Sequence, residues 1–321
     1  MSQVLAGIDL GGTNIKAALA RHDGTRLIER TIPTESHRGP QGVIDRMAEL
    51  LLELAAEQDT TLESVGIGVP GLLDIAAGVT KFLPNFPTQW REIPLAATLS
   101  DRLGCPVRLL NDVRTATLAE LKFGHGRQHP GVTLIFFSLG TGVGGGVVVD
   151  GKLRLGPLGA AGEIGHQTMI ADGLRCGCGN RGCLETLSSG PAIIAEGVRL
   201  LRMGHAPRLH ELVQGDANRV TPREMGQAAI DGDQLVGEAI DRAAEWIGIA
   251  AANLVTALHP ELIVLGGKVA DLGDLLLGTV KETIVRRVGM FSAADVEVVR
   301  SELGDQAGVM GALALAAQTE I

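Results

Sequence analysis

Hydrophobic positions near the amino terminus form two apolar runs separated by glycines. Residues 4–12, VLAGIDLGG, indicate a strand that ends in Gly11 and Gly12, and residues 15–24, IKAALARHDG, indicate a second strand that closes at a turn. Residues 132–149, VTLIFFSLGTGVGGGVVV, repeat this order of apolar run, glycine-rich turn and apolar run. The repetition predicts that the protein is built from two related halves.

Other segments show helical or strand-like spacing of apolar residues. Predicted helices cover residues 41–58, 113–123, 191–202, 235–258 and 271–287. Short apolar runs that indicate buried strands cover residues 65–71, 105–112, 261–267 and 296–301. Because strands alternate with helices, we expect an α/β fold with functional residues at the strand ends.

The composition narrows the possible partners. With 321 residues and 45% hydrophobic content, the chain is long enough for about two globular domains. A net charge of -9 argues against binding to nucleic acid or to an anionic membrane surface. Aromatic residues make up 2% and include no Tyr, which argues against stacking on nucleic-acid bases. Small polar substrates remain as the expected ligands.

The amino terminus gives no sign of export. MSQVLAGIDLGGT lacks the basic stretch, apolar run and small-residue cleavage site of a secretory signal, so we expect a cytoplasmic protein. The longest apolar stretch, residues 246–258, is interrupted by Asn253 and Thr256 and is shorter than the roughly 20 residues that a membrane span needs. The sequence therefore predicts no membrane segment.

The glycine turn after the first strand offers groups that suit a phosphate. In DLGGTNIK, residues 9–16, Gly11 and Gly12 expose backbone amides, Thr13 adds a hydroxyl and Asp9 adds a carboxylate. A plain hairpin turn is the alternative, because Gly-Gly is a common turn dipeptide. The spacing of a Walker A loop is absent, and no GxGxxG run opens a helix after a strand.

Two further glycine turns strengthen the case for a nucleotide. SLGTGVGGG, residues 138–146, also lies between apolar runs and carries Thr141. Two such turns that face one another could hold the phosphates of a nucleotide from both sides. Gly266 and Gly267 follow another apolar run and could let an adenosine approach the backbone.

Asp112 follows the apolar run PVRLL and Asn111 at the start of a predicted helix. One role for Asp112 is that of helix N-cap, for which Asp is a preferred residue. The other is that of a general base, which would accept the proton of a sugar hydroxyl as that hydroxyl attacks a phosphoryl group. The two roles are compatible. Asn111 could hydrogen-bond a sugar or satisfy the local backbone.

Three of the four cysteines lie within CGCGNRGCLE, residues 176–185. A disulfide framework fits poorly, because three clustered thiols leave an odd one and Cys105 is distant in sequence. His166 lies ten residues before Cys176, and with Cys176, Cys178 and Cys183 it completes a three-thiolate, one-imidazole set. This set is typical of a closed structural zinc site, and free thiols are the alternative.

Together these motifs resemble the ROK family of sugar kinases and repressors, within the actin-like ATPase superfamily. The resemblance covers essentially the whole chain. It rests on DLGGTNIK at 9–16, LPN at 83–85, ND at 111–112, SLGTGVGGG at 138–146, GEIGH at 162–166 and CGCGNRGCLE at 176–185. It implies two actin-like (ribonuclease H-like) α/β domains with ATP and sugar in a cleft between them. The expected domains span residues 1–120 and 121–321, with the last helix packed back on the first domain.

The resemblance also implies the roles of individual residues. Asp112 corresponds to the catalytic base, and Asp9 to a residue that organises Mg²⁺. The implied sugar-binding set is Gly71, Asn85, Asn111, Asp112, Glu163, His166 and Glu185. The implied nucleotide-binding set is Asp9, Gly11, Gly12, Thr13, Asn14, Lys16, Thr141, Gly142, Gly144, Gly145, Gly266 and Gly267. ATP, Mg²⁺ and a structural Zn²⁺ are the implied cofactors.

The expected reaction is transfer of phosphate from ATP to the 6-hydroxyl of a hexose, with glucose as the first choice. The repressors of the family carry an amino-terminal DNA-binding domain, which we do not find in this sequence. Alternatives are a kinase for N-acetylmannosamine or another hexose, and a sugar sensor without turnover. Gln89 precedes Trp90 where many relatives carry glycine, a departure that bears on which hexose is preferred. Polyphosphate is a further possible phosphoryl donor in place of ATP. The resemblance suggests a homodimer or homotetramer.

Overall fold

The computed structural model describes residues 2–83, 86, 87, 90–157 and 159–318. Its strands are β1 (Ser2–Leu10), β2 (Asn14–Ala20), β3 (Arg26–Pro33), β4 (Thr60–Val69), β5 (Leu72–Asp74), β6 (Val79–Phe82), β7 (Val107–Asn111), β8 (Leu134–Leu139), β9 (Val143–Val149), β10 (Lys152–Leu153), β11 (Leu262–Gly266) and β12 (Glu297–Arg300). Its helices are α1 (Gly39–Glu57), α2 (Leu95–Leu103), α3 (Asp112–Lys122), α4 (Glu185–Ser188), α5 (Gly190–Arg202), α6 (Pro207–Val213), α7 (Pro222–Ile230), α8 (Gln234–Leu258), α9 (Asp274–Arg287) and α10 (Ala307–Ala316). The fold is α/β, as predicted.

The chain divides into two compact units. Unit 1 comprises the described residues of Met1–Pro130, Leu153–Ala161 and Glu302–Ile321. Unit 2 comprises those of Gly131–Lys152 and Gly162–Ser301. Each unit therefore gathers segments that are far apart in the sequence.

The sheet of unit 1 has the strand order β3-β2-β1-β4-β7. Strands β1, β4 and β7 run parallel, so their carboxyl ends meet at one edge of the sheet. The turn after Asp9, the residues that follow Val69, and Asn111 all lie at this edge, because Asp9 pairs with Gly68 and Val69 pairs with Asn111. Ligands of open α/β sheets commonly bind outside this edge.

Helices cover both faces of this sheet. Successive side chains of a strand point to opposite faces, so alternate residues of β1 belong to different clusters. Ile8 packs in one cluster with Val43 and Met47 of α1. Leu5 packs in another with Leu313 of α10. The apolar run at the amino terminus is thus a central strand buried on both sides.

The sheet of unit 2 repeats the plan, with the strand order β10-β9-β8-β11-β12. Strands β8, β11 and β12 run parallel, and β9 returns antiparallel to β8 just as β2 returns antiparallel to β1. The core is formed largely by α8 and its neighbours, with Ile247 and Ala251 fully buried. The prediction of two related halves is confirmed by this shared strand order.

Several elements differ from the sequence-based expectations. Strand β3, the hairpin of β5 and β6, and helices α2, α6 and α7 were not predicted. Predicted helix 271–287 begins only at Asp274, after a short 3-10 helix over Lys268–Leu272. Within the described ranges, every helix is too short or too polar to cross a membrane.

Candidate functional site

The first glycine turn joins β1 to β2 at the carboxyl edge of unit 1. The backbone N–H of Gly11 donates to the carbonyl of Asn14 at 2.9 Å, which closes the turn and leaves Thr13 and Asn14 exposed. Thr34, which lies outside the turn in sequence, is fully buried and stabilises the turn through two hydrogen bonds. Its hydroxyl donates to the carbonyl of Gly11 at 2.7 Å, and its N–H donates to the carbonyl of Thr13 at 2.8 Å. The turn is therefore braced with its exposed groups available to a ligand.

Asp9 lies beside this turn, close to the start of α10. Burial raises the pKa of Asp9, and the positive charge of Lys16 partly offsets this effect. Lys16 donates from Nζ to the carbonyl of Asp305 at 2.8 Å. Gly308 contacts the Asp9 carboxylate so closely that a Cβ at position 308 would collide with Oδ2. Residues 305–308 thus complete the surroundings of Asp9, a contribution that no local sequence signal indicates.

The junction of β7 and α3 corrects the predicted N-cap. Asn111, not Asp112, caps the helix: its Oδ1 accepts the N–H of Val113 at 3.0 Å and of Arg114 at 3.3 Å. Asp112 is the first residue of α3 and is half-buried. Asn and Asp are both preferred caps, and here the extended backbone of Asn111 decides between them. Asn111 Nδ2 also donates to the carbonyl of Gly71 at 3.1 Å, which brings two predicted sugar-binding residues together.

The second glycine turn joins β8 to β9 in unit 2. The N–H of Gly140 donates to the carbonyl of Gly142 at 2.9 Å, and Glu185 accepts the N–H of Val143 through Oε2 at 3.0 Å. A Cβ at position 142 would lie against that carboxylate and displace it, so a side chain there would disturb the contact between Glu185 and Val143. Thr141 is exposed at the tip of the turn. Gly266 ends β11, which is paired with β8, and Gly267 follows it, so both glycines lie at the same edge of the sheet.

The predicted metal ligands converge in unit 2. One ligand atom from each of His166, Cys176, Cys178 and Cys183 lies within 4.8 Å of all the others. Cys176 Sγ is 3.6 Å from His166 Nδ1, and Cys178 Sγ is 3.7 Å from Cys183 Sγ. Tetrahedral zinc with ordinary bond lengths separates two sulfurs by about 3.8 Å and a sulfur from a nitrogen by about 3.6 Å. The four side chains therefore fit a tetrahedral metal.

The cluster is connected to two predicted sugar-binding residues. His166 directs Nδ1 at Cys176, while its Nε2 lies 3.9 Å from Glu163 Oε2. The thiol of Cys176 donates to Glu185 Oε1 at 3.5 Å. Glu185 thus contacts the cluster through one oxygen and the second glycine turn through the other.

The thiols of the cluster differ in their surroundings. Burial raises the pKa of Cys176 to about 12 and also raises the pKa of Cys183. A hydrogen bond from the backbone of Asn180 lowers the pKa of Cys178, which is exposed. Because metals bind thiolates, ligation here would release protons.

A cavity of about 510 Å³ opens beside the third glycine pair in unit 2. Its lining combines apolar, polar and charged side chains from α7 and from the segment after Gly267. The lining includes Gly226, Gln227, Lys268, Asp271, Leu272 and Leu275. Gly267 has φ 85°, which suits glycine, and a Cβ there would collide with the backbone of Leu139. The cavity was not predicted from the sequence.

The predicted site residues fall into one group in each unit. The carboxyl edge of unit 1 carries Asp9, Gly11, Gly12, Thr13, Gly71, Asn111 and Asp112. Unit 2 holds Thr141, Gly142, Glu163, His166, Glu185, Gly266, Gly267 and the cysteine cluster. Asn85 and Gln89 lie outside the described residues.

Known proteins are similar to this chain over nearly its full length. A profile described as the ROK family matches residues 5–319. A glucokinase from Thermotoga maritima is 36% identical over 315 residues, which cover 97% of this chain and 96% of that protein. A xylose repressor from Caldicellulosiruptor bescii is 30% identical over 97% of this chain and 77% of its own length.

A solved structure matches as fully. The crystal structure of a ROK family glucokinase from Streptomyces griseus in complex with glucose and AMPPNP has a TM-score of 0.81 and 31% identity. The match covers 98% of this chain and 99% of that one.

Proposed function

This chain belongs to the ROK family, and on that premise we propose that it transfers the γ-phosphoryl group of ATP to the 6-hydroxyl of a hexose, with glucose as the preferred acceptor. The observation that carries the proposal is the placement of Asp112, Asn111 and Gly71 with the first glycine turn along one carboxyl edge of the unit 1 sheet. The similarity to a glucokinase crystallised with glucose and AMPPNP supports the choice of both substrates.

Asp112 is the proposed general base. Its carboxylate would accept the proton of the 6-hydroxyl as the hydroxyl oxygen forms a bond to the γ-phosphorus and the bond to the ADP leaving oxygen breaks. Asn111 and Gly71 would position the sugar beside it. The other residues proposed to bind the sugar are Asn85, Glu163, His166 and Glu185. A positioned base contributes roughly 10²- to 10⁴-fold to such a rate.

The two braced glycine turns are the proposed phosphate-binding segments. Exposed Thr13 and Asn14 in unit 1 and Thr141 in unit 2 offer polar groups that could hydrogen-bond phosphate oxygens. Lys16, Gly144 and Gly145 belong to the same proposed segments. Mg²⁺ bound with ATP would neutralise charge on the phosphates, and Asp9 would help to hold it.

The cavity beside Gly266 and Gly267 is the proposed adenosine site. Its volume of about 510 Å³ lies within the usual range for ligand pockets, which is roughly 300–1,000 Å³. Gln227 and Asp271 on its lining could hydrogen-bond the base or the ribose.

Structural zinc is the proposed occupant of the His166, Cys176, Cys178 and Cys183 cluster. The near-tetrahedral spacing of the ligand atoms supports it, as does a donor set of three thiols and one imidazole. A metal on Nδ1 would fix the tautomer of His166 and leave Nε2–H to donate to a sugar oxygen. The zinc site would therefore shape the sugar site without taking part in the chemistry.

The direct test is a coupled assay of ADP formation with ATP, Mg²⁺ and a panel of glucose, mannose, N-acetylglucosamine, N-acetylmannosamine and xylose. We expect glucose to give the highest kcat/KM. If none of these sugars supports ADP formation although calorimetry shows that one of them binds, the proposal is overturned. The chain would then be a sugar sensor, as its similarity to a repressor allows. Polyphosphate replaces ATP in a parallel assay, and sedimentation tests the proposed homodimer or homotetramer.

Gly308→Ala tests the environment of Asp9. The new methyl group would displace the Asp9 carboxylate, and a shift of about 1 Å in an active-site group can cost on the order of 10²-fold in rate. We expect kcat to fall at least about tenfold and the Mg²⁺ requirement to rise. Alanine is more favourable than glycine within a helix by about 1 kcal/mol, so this substitution should not destabilise α10 through helix propensity. A lower rate would therefore point to the displaced carboxylate.

Gly278→Ala is the matched control. Gly278 is exposed within α9, and a Cβ there has no neighbour within 4 Å. This variant should keep full activity. Equal activity of the two variants across a Mg²⁺ titration would show that Gly308 does not position Asp9.

A further inference from the structure

Arg114 is a fully buried cation two residues beyond Asp112 on α3. Only 2% of its surface is exposed, although arginine is almost never buried without hydrogen-bond partners. Its Nε donates to the carbonyl of Ala161 at 3.0 Å, and its Nη2 donates to the carbonyl of Ala160 at 3.1 Å. Its Nη1 donates to Asn111 Oδ1 at 3.0 Å. The planar guanidinium therefore joins two separate segments of unit 1.

The contact with Asn111 decides what that amide can offer to a ligand. Asn111 Oδ1 already accepts two backbone N–H groups of α3, and Arg114 adds a third donor. A carbonyl oxygen has two lone pairs, so this oxygen is fully used within the protein. Nδ2 carries two hydrogens and gives one to Gly71. Asn111 is thereby fixed in the orientation that presents an N–H donor.

The contacts with Ala160 and Ala161 fix a second segment. These residues are the end of the stretch Leu153–Ala161 that belongs to unit 1. A guanidinium presents its donors in a rigid fork, so consecutive carbonyls bound to Nε and Nη2 have little freedom to shift.

We propose that Arg114 is a positioning residue for the sugar. It locks the amide of Asn111 so that this residue donates to a sugar oxygen, and its contacts with the Ala160 and Ala161 carbonyls hold the guanidinium in place for that task. The inference rests on the proposed function, because it assigns Asn111 to the sugar. It predicts that Arg114 controls sugar affinity and has little influence on ATP.

The test compares Arg114→Met and Arg114→Lys with Thr117→Val. Thr117 is buried on the same helix, and its hydroxyl donates to the Val113 carbonyl within that helix, so it controls for lost stability. We expect Arg114→Met to raise the hexose KM at least about tenfold, since hydrogen bonds to a charged group are lost. The ATP KM should stay within about threefold, since uniform loss of sugar binding leaves other steps intact. Arg114→Lys should lie between, because one ammonium cannot serve all three acceptors.

A double-mutant cycle with Asn111→Ala separates positioning from general damage. If Arg114 acts through Asn111, adding Arg114→Met to Asn111→Ala should raise the sugar Kd much less than it does in the wild type. Multiplicative effects of the two substitutions on the sugar Kd would overturn the inference. An unchanged hexose KM together with a lowered Tm would overturn it as well. If Arg114→Met does not fold, Arg114→Lys takes its place in the cycle.

Calorimetry on the wild type distinguishes this inference from the proposed function. Wild-type turnover with an unchanged hexose KM in both Arg114 variants overturns the inference alone. Sugar binding without turnover overturns the proposed kinase activity, and the double-mutant cycle is then evaluated from the sugar Kd. A wild-type chain that binds no hexose overturns both.

Discussion

Asp112→Asn is expected to lower kcat for hexose phosphorylation by roughly 10²- to 10⁴-fold, because the amide cannot accept the hydroxyl proton. The substitution preserves the shape of the side chain. Its oxygen can still accept the N–H of Val113, as Asp112 Oδ1 does at 2.9 Å. The loss of one negative charge from the first turn of α3 costs about 0.3–1 kcal/mol of stability at most sites, which is too little to unfold a domain. Sugar KM should change little.

Asp101→Asn is the control for this variant. Asp101 is exposed on α2 of the same unit, so its charge can be removed without touching the β7 to α3 junction. Steady-state kinetics on both variants, with sugar affinity from calorimetry, check the result. Full activity of Asp112→Asn would mean that the protein uses another base.

Loss of the proposed metal is expected to have the second large effect. Cys176→Ser should remove zinc, because Cys176 is 4% exposed and is one of the four convergent residues proposed as its ligands. The sugar KM should then rise roughly 10- to 100-fold, the range seen when groups that orient a metal site are removed. His166 would lose the partner of Nδ1, and Glu185 would lose its contact with Cys176. Metal content by mass spectrometry and sugar KM are the two measurements.

Cys178→Ser is a second test of metal ligation, and Cys105→Ala is the control for this experiment. Cys178 is a proposed ligand but is exposed, so its replacement tests ligation with little change in packing. Cys105 is buried in unit 1, and its loss should leave the zinc content unchanged. A metal-free, folded protein with unchanged sugar affinity would show that the cluster stabilises the loop and nothing more.

Much of this architecture could be predicted because its signals are local. Continuous apolar runs that end in glycines gave the central strands β1 and β8 and the turns after them. The cysteine spacing predicted that His166, Cys176, Cys178 and Cys183 would converge, and the structure brings these four side chains together. Resemblance to a family added residues such as Gly71, whose position beside Asn111 no spacing indicates.

The remaining features depend on contacts between distant residues. Gly308 lies beside Asp9 only because α10 packs on β1, and a small residue near the end of a chain carries no sign of this. Arg114 has the sequence context of an ordinary helix surface residue, and its burial follows from carbonyls some 46 positions away. At Asn111 and Asp112 two equally good caps are adjacent, so the backbone had to decide.

The order of synthesis gives the three-segment composition of unit 1 a further consequence. The whole of unit 2 leaves the ribosome before α10 does, so unit 2 can complete its core while unit 1 still lacks a helix. Val309, Ala312 and Leu315 of α10 are each fully buried in the finished protein. Until they arrive, one face of the β1 sheet stays exposed and Asp9 lacks its neighbour Gly308. We therefore expect the nascent chain to complete the surroundings of Asp9 only after unit 2 has been synthesised.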